Sequence, residues 1–360
     1  MKILVAVAAY PVPDGSRPLY YVHSRNIFYK EAGLNVTVLN FAAKNNYVYD
    51  GFSVITESDY AANNEQYDLL VCHASNLRNH YRFLMKYGKR FSKIVFFFHG
   101  HEMLHINRYY PVPYSYMGGR KNGFLQNRYD DLKLFLWSHY FRKHINDIRL
   151  IFVSEWIFEH FLKETGISEE ELKGHWRIIS NGVGKFFEEH SYAPGEIFTD
   201  FITIRNNFDG STYCLDIITE LAHKYPNYRF LVIGKGMFFD HVQAPNNMVV
   251  LKTELTHDEM EQHLNSARFA LMPVRQDTQG LMSCEMATYG IPLITSDIQV
   301  CRQVFKDCPN VAFISNDSPQ LEDAVARYSA DRRYEKWERY FAKNTILKEI
   351  DYLIQYGREG

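Results

Sequence analysis

At 360 residues, 46% hydrophobic and 23% charged, the chain exceeds the roughly 250–300 residues over which a single core usually grows, so two domains of ordinary globular make-up are expected. No apolar run approaches the roughly 20 residues of a membrane-spanning helix, which excludes a helical membrane span. Net charge is only −2, yet residues 1–150 carry 19 Lys and Arg against 11 Asp and Glu, a balance of +8, while the remainder carries 21 against 31, a balance of −10. Such asymmetry either steers the front half toward an anionic membrane face or anionic acceptor, or is an unevenly solvated surface. Nucleic acid is set aside, because no Lys/Arg cluster accompanies a recognition motif.

The chain opens on MKILVAVAAYPVP, seven apolar residues after one Lys, which suits a buried first strand better than a signal peptide. Apolar runs follow with helix-length spacers at Ile3–Ala9, Val36–Phe41, Asp68–Ala74, Ile94–Phe98, Leu150–Val153 and Ile178–Ile179. A second series runs through Phe201–Ile204, Phe230–Ile233, Met248–Leu251, Phe269–Val274, Pro292–Thr295 and Val311–Ile314. Continuous rather than alternating apolar strands imply sheets covered on both faces, hence parallel strands with helical crossovers such as Cys214–Lys224 and His257–Asn265. The expected fold is therefore α/β, with two Rossmann-like domains, parallel sheets and an interdomain cleft. Residues 1–190 form the N-terminal, acceptor-side domain and 191–335 the C-terminal, donor-side domain, joined near the polar EEHSYAPG stretch at 188–195; 336–360 form a helix packing back across them. Residues 103–140, aromatic, basic and loop-like at their start, read as a site-lining insertion or lid. Five cysteines (Cys72, Cys214, Cys284, Cys301, Cys308) form no CxxC pair and no metal-like spacing, consistent with reduced thiols in a cytoplasmic protein.

In Rossmann-like domains ligands bind beyond the C-terminal ends of strands, so residues just after each run are the candidates. They are Gly15 and Ser16 after the first run, His99 to Glu102 (HGHE) after the fourth, Ser154–Glu155 after the fifth and Asn181 in SNGVG after the sixth. In the second half come Arg205, then Gly234–Lys235–Gly236, then the segment from Asp277 to Glu285. This last segment runs from a strand through a polar loop into a helix. The N–H groups of Thr278, Gln279 and Gly280 are expected to form an anion hole at the helix N-terminus, continued by Leu281 and flanked by the two carboxylates. Acceptor-only carboxylates on either side of an anion site suit a ligand with hydroxyls at both ends and a diphosphate between, a sugar nucleotide.

Other readings of these residues fail on spacing or context. His99, His101, Glu102 and His105 invite a metal reading, but strand-end histidines in loops are commonly plain hydrogen-bonding groups, so no metal is assigned. Gly234–Lys235–Gly236 lacks the third glycine of a dinucleotide fingerprint, position 239 being Phe. Ser154 has no GxSxG around it and is expected to cap the helix that follows. Of the many aromatics, Tyr109, Tyr110, Tyr114 and Tyr116 are poor core candidates and suit a sugar-facing loop.

The order of these motifs resembles the retaining family-4 glycosyltransferases (glycosyl transferases group 1) of the two-domain GT-B fold. The matching positions are His99, Ser154–Glu155, Asn181–Gly182–Val183, Arg205, Gly234–Lys235–Gly236, and Asp277 with Glu285, Ala287, Gly290 and Pro292. The resemblance implies Glu285 on the ribose hydroxyls, Asp277 on the donor sugar, Arg205 on the diphosphate and His99 on the sugar hydroxyls. It implies no covalent nucleophile, no metal and no cofactor beyond a nucleotide-sugar co-substrate, with UDP-sugar ahead of GDP-sugar. Gly15, Ser16, Asn181, Tyr109 and Tyr110 stand as acceptor-side candidates. The chain departs from the family in three places: no Lys follows Arg205 in NNFDGST, where Lys235 or Arg275 would have to substitute; the first acid is Asp277 rather than Glu; and the front loop is reduced to Asp14–Gly15–Ser16. The expected activity is sugar transfer to a glycan or lipid-linked acceptor with retention, in cell-surface polysaccharide synthesis, by a cytoplasmic protein peripheral to the inner membrane face. The alternatives are a sugar-nucleotide epimerase or phosphorylase of the same fold, and a non-catalytic sugar-nucleotide-binding protein.

Overall fold

The structure is a computed structural model that describes residues 1–63, 65–119, 123–328 and 336–358. The end of the expected donor-side domain (329–335) and of the expected terminal helix (359–360) lies outside the described residues. The chain divides into two compact units, one of residues 1–106, 125–180 and 343–360, the other of residues 107–124 and 181–342.

The first unit is built on an eight-stranded sheet: β1 (Lys2–Val7), β2 (Asn35–Asn40), β3 (Tyr47–Tyr49), β4 (Phe52–Ile55), β5 (Leu69–His73), β6 (Ile94–Phe98), β7 (Ile148–Phe152) and β8 (Trp176–Ile178). Its order is β3-β4-β2-β1-β5-β6-β7-β8, parallel throughout except for the β3–β4 hairpin. The second unit carries β9 (Thr199–Arg205), β10 (Phe230–Gly234), β11 (Met248–Leu251), β12 (Ala267–Leu271), β13 (Leu293–Ser296) and β14 (Val311–Ile314), all parallel, in the order β11-β10-β9-β12-β13-β14. All twelve apolar runs are strands. The β3–β4 hairpin escapes the sequence because YVY and FSVI are only three and four residues long and a tight turn at Asp50–Gly51, not a helical spacer, joins them.

The central strands of both sheets are buried on both faces, as their continuous apolar runs require: Ile3 to Val7 in the first and Phe201 to Ile204 in the second are shielded from solvent. In the first unit, the helix Ile346–Arg358 returns to the core through Ile350, Leu353 and Tyr356. Glu349 from the same helix is buried against Arg25, at 3.2 Å, and accepts a hydrogen bond from Tyr29. This buried ion pair fastens the returning helix at a cost in desolvation that only its full hydrogen-bonding offsets.

Residues 103–140 are loop-like only at first. Short turns at His101–Met103 and Ser115–Met117 and the helix Ile106–Tyr109 precede the 21-residue helix Gly123–Lys143. In the second unit, Tyr114 and Tyr116 pack on Phe238 and His241 (ring centroids 4.9 and 4.2 Å) and donate to Asp216 and Asp209. Contrary to the reading from sequence, these two tyrosines are therefore anchors of that unit. Their hydroxyls find carboxylates there, and with Asp216 and Val242 they line a cavity of about 240 Å³.

Candidate functional site

The strand orders define where each unit presents its ligand-binding edge. In the second sheet the crossovers run in opposite directions from β9 and β12, and the crevice beyond their C-terminal ends is the topological switch point. Arg205 is the last residue of β9, and β12 leads into the 272–280 loop carrying Asp277, so the topology brings these two sequence-distant candidates to one edge.

Arg205 is buried, at 3% exposure. Its Nη2 donates to the Pro273 carbonyl at 2.8 Å and its guanidinium lies 5.1 Å over the Tyr213 ring. Its buried Nε has no hydrogen-bond partner among the described residues. Burial lowers its pKa while the Asp277 charge opposes that shift. A buried cation with an unused donor is costly, and an anion relieves that cost.

Gly234 and Gly236 are dictated by packing beside Arg205. With φ of 155° and 138°, a Cβ at Gly234 would lie 1.8 Å from the Arg205 carbonyl oxygen, and one at Gly236 would lie 2.8 Å from Phe208 Cβ. The Phe208 amide donates to the Lys235 carbonyl at 2.6 Å and the Met237 amide to Asp209 at 2.9 Å, locking the two loops together. The glycine turn thus admits the loop after Arg205. Lys235 points to an exposed ion pair with Glu254 at 2.9 Å, and Arg275 makes a two-pronged bond to Asp216 at 2.8 and 2.6 Å. Both proposed stand-ins for the missing Lys are thus engaged elsewhere.

The anion hole expected from Thr278, Gln279 and Gly280 is corrected by the structure. Asp277 Oδ1 accepts from their three amides at 2.7, 3.4 and 2.9 Å, so the donors are satisfied by the neighbouring side chain. The short Asp side chain folds onto its own backbone, as Asx residues do. Gly280, at φ 73°, turns the chain into the helix Leu281–Tyr289. The first-turn amides of Leu281, Met282 and Ser283 then carry the dipole's positive end. Burial raises the pKa of Asp277, against its amide hydrogen bonds and Arg205. The Gln279 side chain clamps Asn181, accepting from its amide at 2.7 Å and donating to its carbonyl at 2.9 Å. These candidates, assigned from sequence to donor and acceptor respectively, are partners in holding the loop.

Glu285 lies one turn into the same helix. No hydrogen bond or ion pair engages its carboxyl among the described residues, and burial pushes its pKa up to about 8. The residue is part-exposed, and its carboxyl is one to which hydroxyl or amide donors of a ligand could be offered.

The first sheet has its own switch point, between β1 and β5. His73 ends β5, and His99 follows β6 directly. His73 Nδ1 lies 3.0 Å from His99 Nε2, and the rings stack in line with Phe97 while Tyr21 packs on His99 at 4.6 Å. Only one of the two facing nitrogens carries the proton. His73 Nε2 is buried without a partner among the described residues, and an orphaned N–H is rarer than an orphaned acceptor, which assigns the proton to His73 Nδ1 and the Nδ1–H tautomer to His99. Burial, with His99, Arg25 and His80 nearby, holds His73 neutral, its pKa well below the usual value. His73 was not singled out from sequence; its place at the end of the third apolar run was the available signal. Glu102 is buried and accepts from the amides of His99 (3.0 Å) and Gly100 (2.6 Å), fixing the strand-end turn. His105 faces Asp131 at 3.5 Å and Glu164 at 3.6 Å. Among the described residues no three His, Cys, Asp or Glu side chains converge to hold a metal ion.

Of the remaining candidates, Gly15 and Ser16 form an exposed turn in the first unit, with the Ser16 amide bonded to Asp14 at 2.9 Å. Tyr109 and Tyr110 are half-buried in the second. Ser154 caps the helix Glu155–Thr165 as expected, accepting from Ile157.

Two Rossmann-like α/β units, each with its ligand edge at a switch point, define the architecture of the GT-B glycosyltransferases. Residues 201–331 match the family model of the glycosyl transferases group 1, which bears out the resemblance in the motifs and supports glycosyl transfer as the activity. The whole chain is similar in fold to sucrose-phosphate synthase from Thermosynechococcus elongatus, at 12% identity and a TM-score of 0.65, covering 99% of this chain and 96% of that one. It is also similar to a trehalose-6-phosphate protein from E. coli bound with UDP-2-fluoro glucose, at 12% identity and a TM-score of 0.59, covering all of both chains. A third similar structure is WaaG, a glycosyltransferase involved in lipopolysaccharide biosynthesis, at 13% identity and a TM-score of 0.56, covering 92% of this chain and 90% of that one. No curated protein sequence matches the chain significantly.

Proposed function

We propose that the chain moves a sugar from a nucleotide-sugar donor, a UDP-sugar ahead of a GDP-sugar, to a glycan or lipid-linked acceptor with retention of configuration. The observation that carries this reading is Arg205: a buried guanidinium with an unused Nε, at the same sheet edge as a helix N-terminus and the partnerless Glu285. A diphosphate satisfies the cation and the first-turn amides of 281–283, and ribose hydroxyls satisfy Glu285. As the glycosidic C–O bond breaks, negative charge grows on the leaving diphosphate, where a fixed cation and amides stabilise it most. His99 holds a donor-sugar hydroxyl, and Asp277 keeps the loop beneath the sugar in shape. No metal or further cofactor is assigned a step.

The choice of UDP is supported by the UDP-2-fluoro glucose held by the E. coli relative in fold. The cell-surface context is supported by WaaG's role in lipopolysaccharide biosynthesis. A cytoplasmic protein in peripheral contact with an anionic membrane fits that setting; no described helix is long and apolar enough to cross a membrane. A second reading, a sugar-nucleotide-binding protein without transfer activity, is favoured by one observation: Lys235 and Arg275 are both engaged elsewhere, leaving one phosphate cation where the family has two.

The test is a thermal-shift panel of UDP, GDP, ADP and CMP and their common sugar conjugates on the wild type, Arg205→Ala and Glu285→Ala. The proposal expects one nucleotide to raise the midpoint and both variants to lose the shift. Product formed only with an acceptor extract separates transfer from binding; no shift with any nucleotide would sink the donor site.

A further inference from the structure

We infer that Tyr114 and Tyr116 are positioning residues for Arg205: through Asp216 and Asp209 their hydroxyls hold the loop 206–214, whose Tyr213 lies over the guanidinium. The inference rests on the nucleotide-sugar site proposed above and names two residues that set its affinity for a diphosphate. Both lie outside the stretch 201–331 that matches the family model. They belong to residues 107–124, a segment of the second unit whose flanking chain on either side belongs to the first.

The loop is pinned at two points. At the first, Asp209 Oδ1 accepts from the Tyr116 hydroxyl at 2.8 Å and from the Met237 amide at 2.9 Å, so one carboxylate ties the tyrosine segment, the loop and the end of the glycine turn together. At the second, Arg275 donates from its guanidinium to the Ser211 carbonyl and from its amide to the Thr212 carbonyl, each at 2.9 Å. Arg275 is itself aimed by Asp216, whose Oδ1 accepts from its Nη1 at 2.8 Å and from the Tyr114 hydroxyl at 3.0 Å. The next residue along the loop is Tyr213, with its ring 5.1 Å from the Arg205 guanidinium.

Packing alone does not account for the hydroxyls. The Tyr114 and Tyr116 rings lie nearly parallel at 5.8 Å and Tyr116 stacks on His241, contacts that phenylalanine would make equally well. The hydroxyls instead reach the two carboxylates that already hold parts of the loop, and hydrogen bonds to ionised acceptors are the strong ones. The consequence falls on Arg205 because a guanidinium is planar: the ring over its face and the Pro273 carbonyl at Nη2 together fix the direction of the Nε donor. A loop released at either point lets Tyr213 tilt, and the donor then loses its aim at a diphosphate.

The test is titration of the full chain with UDP and, separately, with uridine, which lacks the diphosphate. Tyr114→Phe and Tyr116→Phe should each lower UDP affinity about fivefold, and the pair about twentyfold, with uridine affinity changed less than about twofold. Cooperative melting shows that each variant is folded. Asp209→Asn keeps an acceptor oxygen for both donors and should bind UDP as wild type does, whereas Asp209→Ala should lose at least as much as Tyr116→Phe. If wild type binds UDP and the double variant binds it equally, the inference is overturned while the donor site stands. If UDP and uridine affinities fall together, the tyrosines hold the unit as a whole and not Arg205, and the inference is again overturned. An Asp209→Asn loss as large as that of Asp209→Ala would make charge rather than position the cause, with the same result. If wild type binds neither ligand, the inference and the donor site fail together.

Discussion

The two switch points hold their candidate groups in opposite electrical states. At the second sheet the residues are charged or poised to be: Arg205 with an unused donor, Asp277 folded onto its backbone, Glu285 held protonated near neutrality. At the first sheet they are neutral rings, His73 and His99 sharing one proton between Phe97 and Tyr21. The charged edge carries buried groups without partners among the described residues, a cost that a bound anion would relieve, whereas the ring pair is internally satisfied where it meets. Mutations at the first should therefore trade stability against binding, and mutations at the second should alter selectivity at little cost to the fold.

The largest effect tests that trade directly. Arg205→Met removes a buried cation with an unsatisfied donor, so the free protein should gain on the order of 1 kcal/mol in urea unfolding while affinity for UDP drops roughly a hundredfold. Loss of both stability and binding would mean that Arg205 is structural.

Glu285 gives a pH signature. Its folded pKa of about 8 lies above the ordinary 4.5, so between these values the unfolded chain is ionised while the folded one keeps its proton. Stability should therefore fall as pH rises from about 4.5 to about 8, by up to about 1.4 kcal/mol per pH unit, and Glu285→Gln should flatten that slope. Ribose hydroxyls favour the ionised form, so UDP binding at pH 7 should release a proton, seen by calorimetry in buffers of different ionisation enthalpy. No release in wild type would remove Glu285 from the ribose site.

Asp277 comes next, because its carboxyl holds three amides. Asp277→Ala should cost about 1–2 kcal/mol, the usual worth of such a cap, and Asp277→Asn much less, since an amide oxygen still accepts. Equal losses would show that the charge, acting on Arg205, matters more than the acceptor.

What the sequence disclosed follows the same division. The twelve strands were legible because burial on both faces leaves continuous apolar runs, and Arg205 and Asp277 were selected as candidates because charged residues just after such runs stand out from them, whereas Glu285, inside a helix, was selected through the resemblance. The fate of the 278–280 amides was not, since whether an Asp caps its own loop or leaves those amides for a ligand depends on backbone dihedrals that the residue order does not state. His73 was hidden for a related reason. A histidine at the end of an apolar run reads as a core residue until strand pairing places it beside His99.

The tautomer assignment makes His73 a positioning residue. His73→Phe removes the donor to His99 Nε2, and His99 should shift toward the Nε2–H form in ¹⁵N spectra. His73→Asn, which keeps an N–H near the Nδ1 position, should restore the Nδ1–H form. If His99 holds a sugar hydroxyl, the Phe variant should lose several-fold in UDP-sugar affinity and little in UDP affinity. An unchanged His99 spectrum in His73→Phe would place the proton on the other ring.

The smallest expected effect bears on the departure that most separates this chain from the family. Lys235 is exposed and paired with exposed Glu254, an arrangement worth about 0–1 kcal/mol and weakened by salt. Its backbone is pinned by the Phe208 amide, so the side chain is free of any role in holding the glycine turn. Lys235→Ala should leave melting unchanged and shift UDP affinity less than twofold, in line with a diphosphate held by one buried Arg and helix amides. A tenfold loss would instead mean that Lys235 leaves Glu254 for the phosphate when ligand arrives. The charged edge would then contain two phosphate cations, one buried in advance and one recruited, and the case for a binding protein without transfer activity would lose its main support.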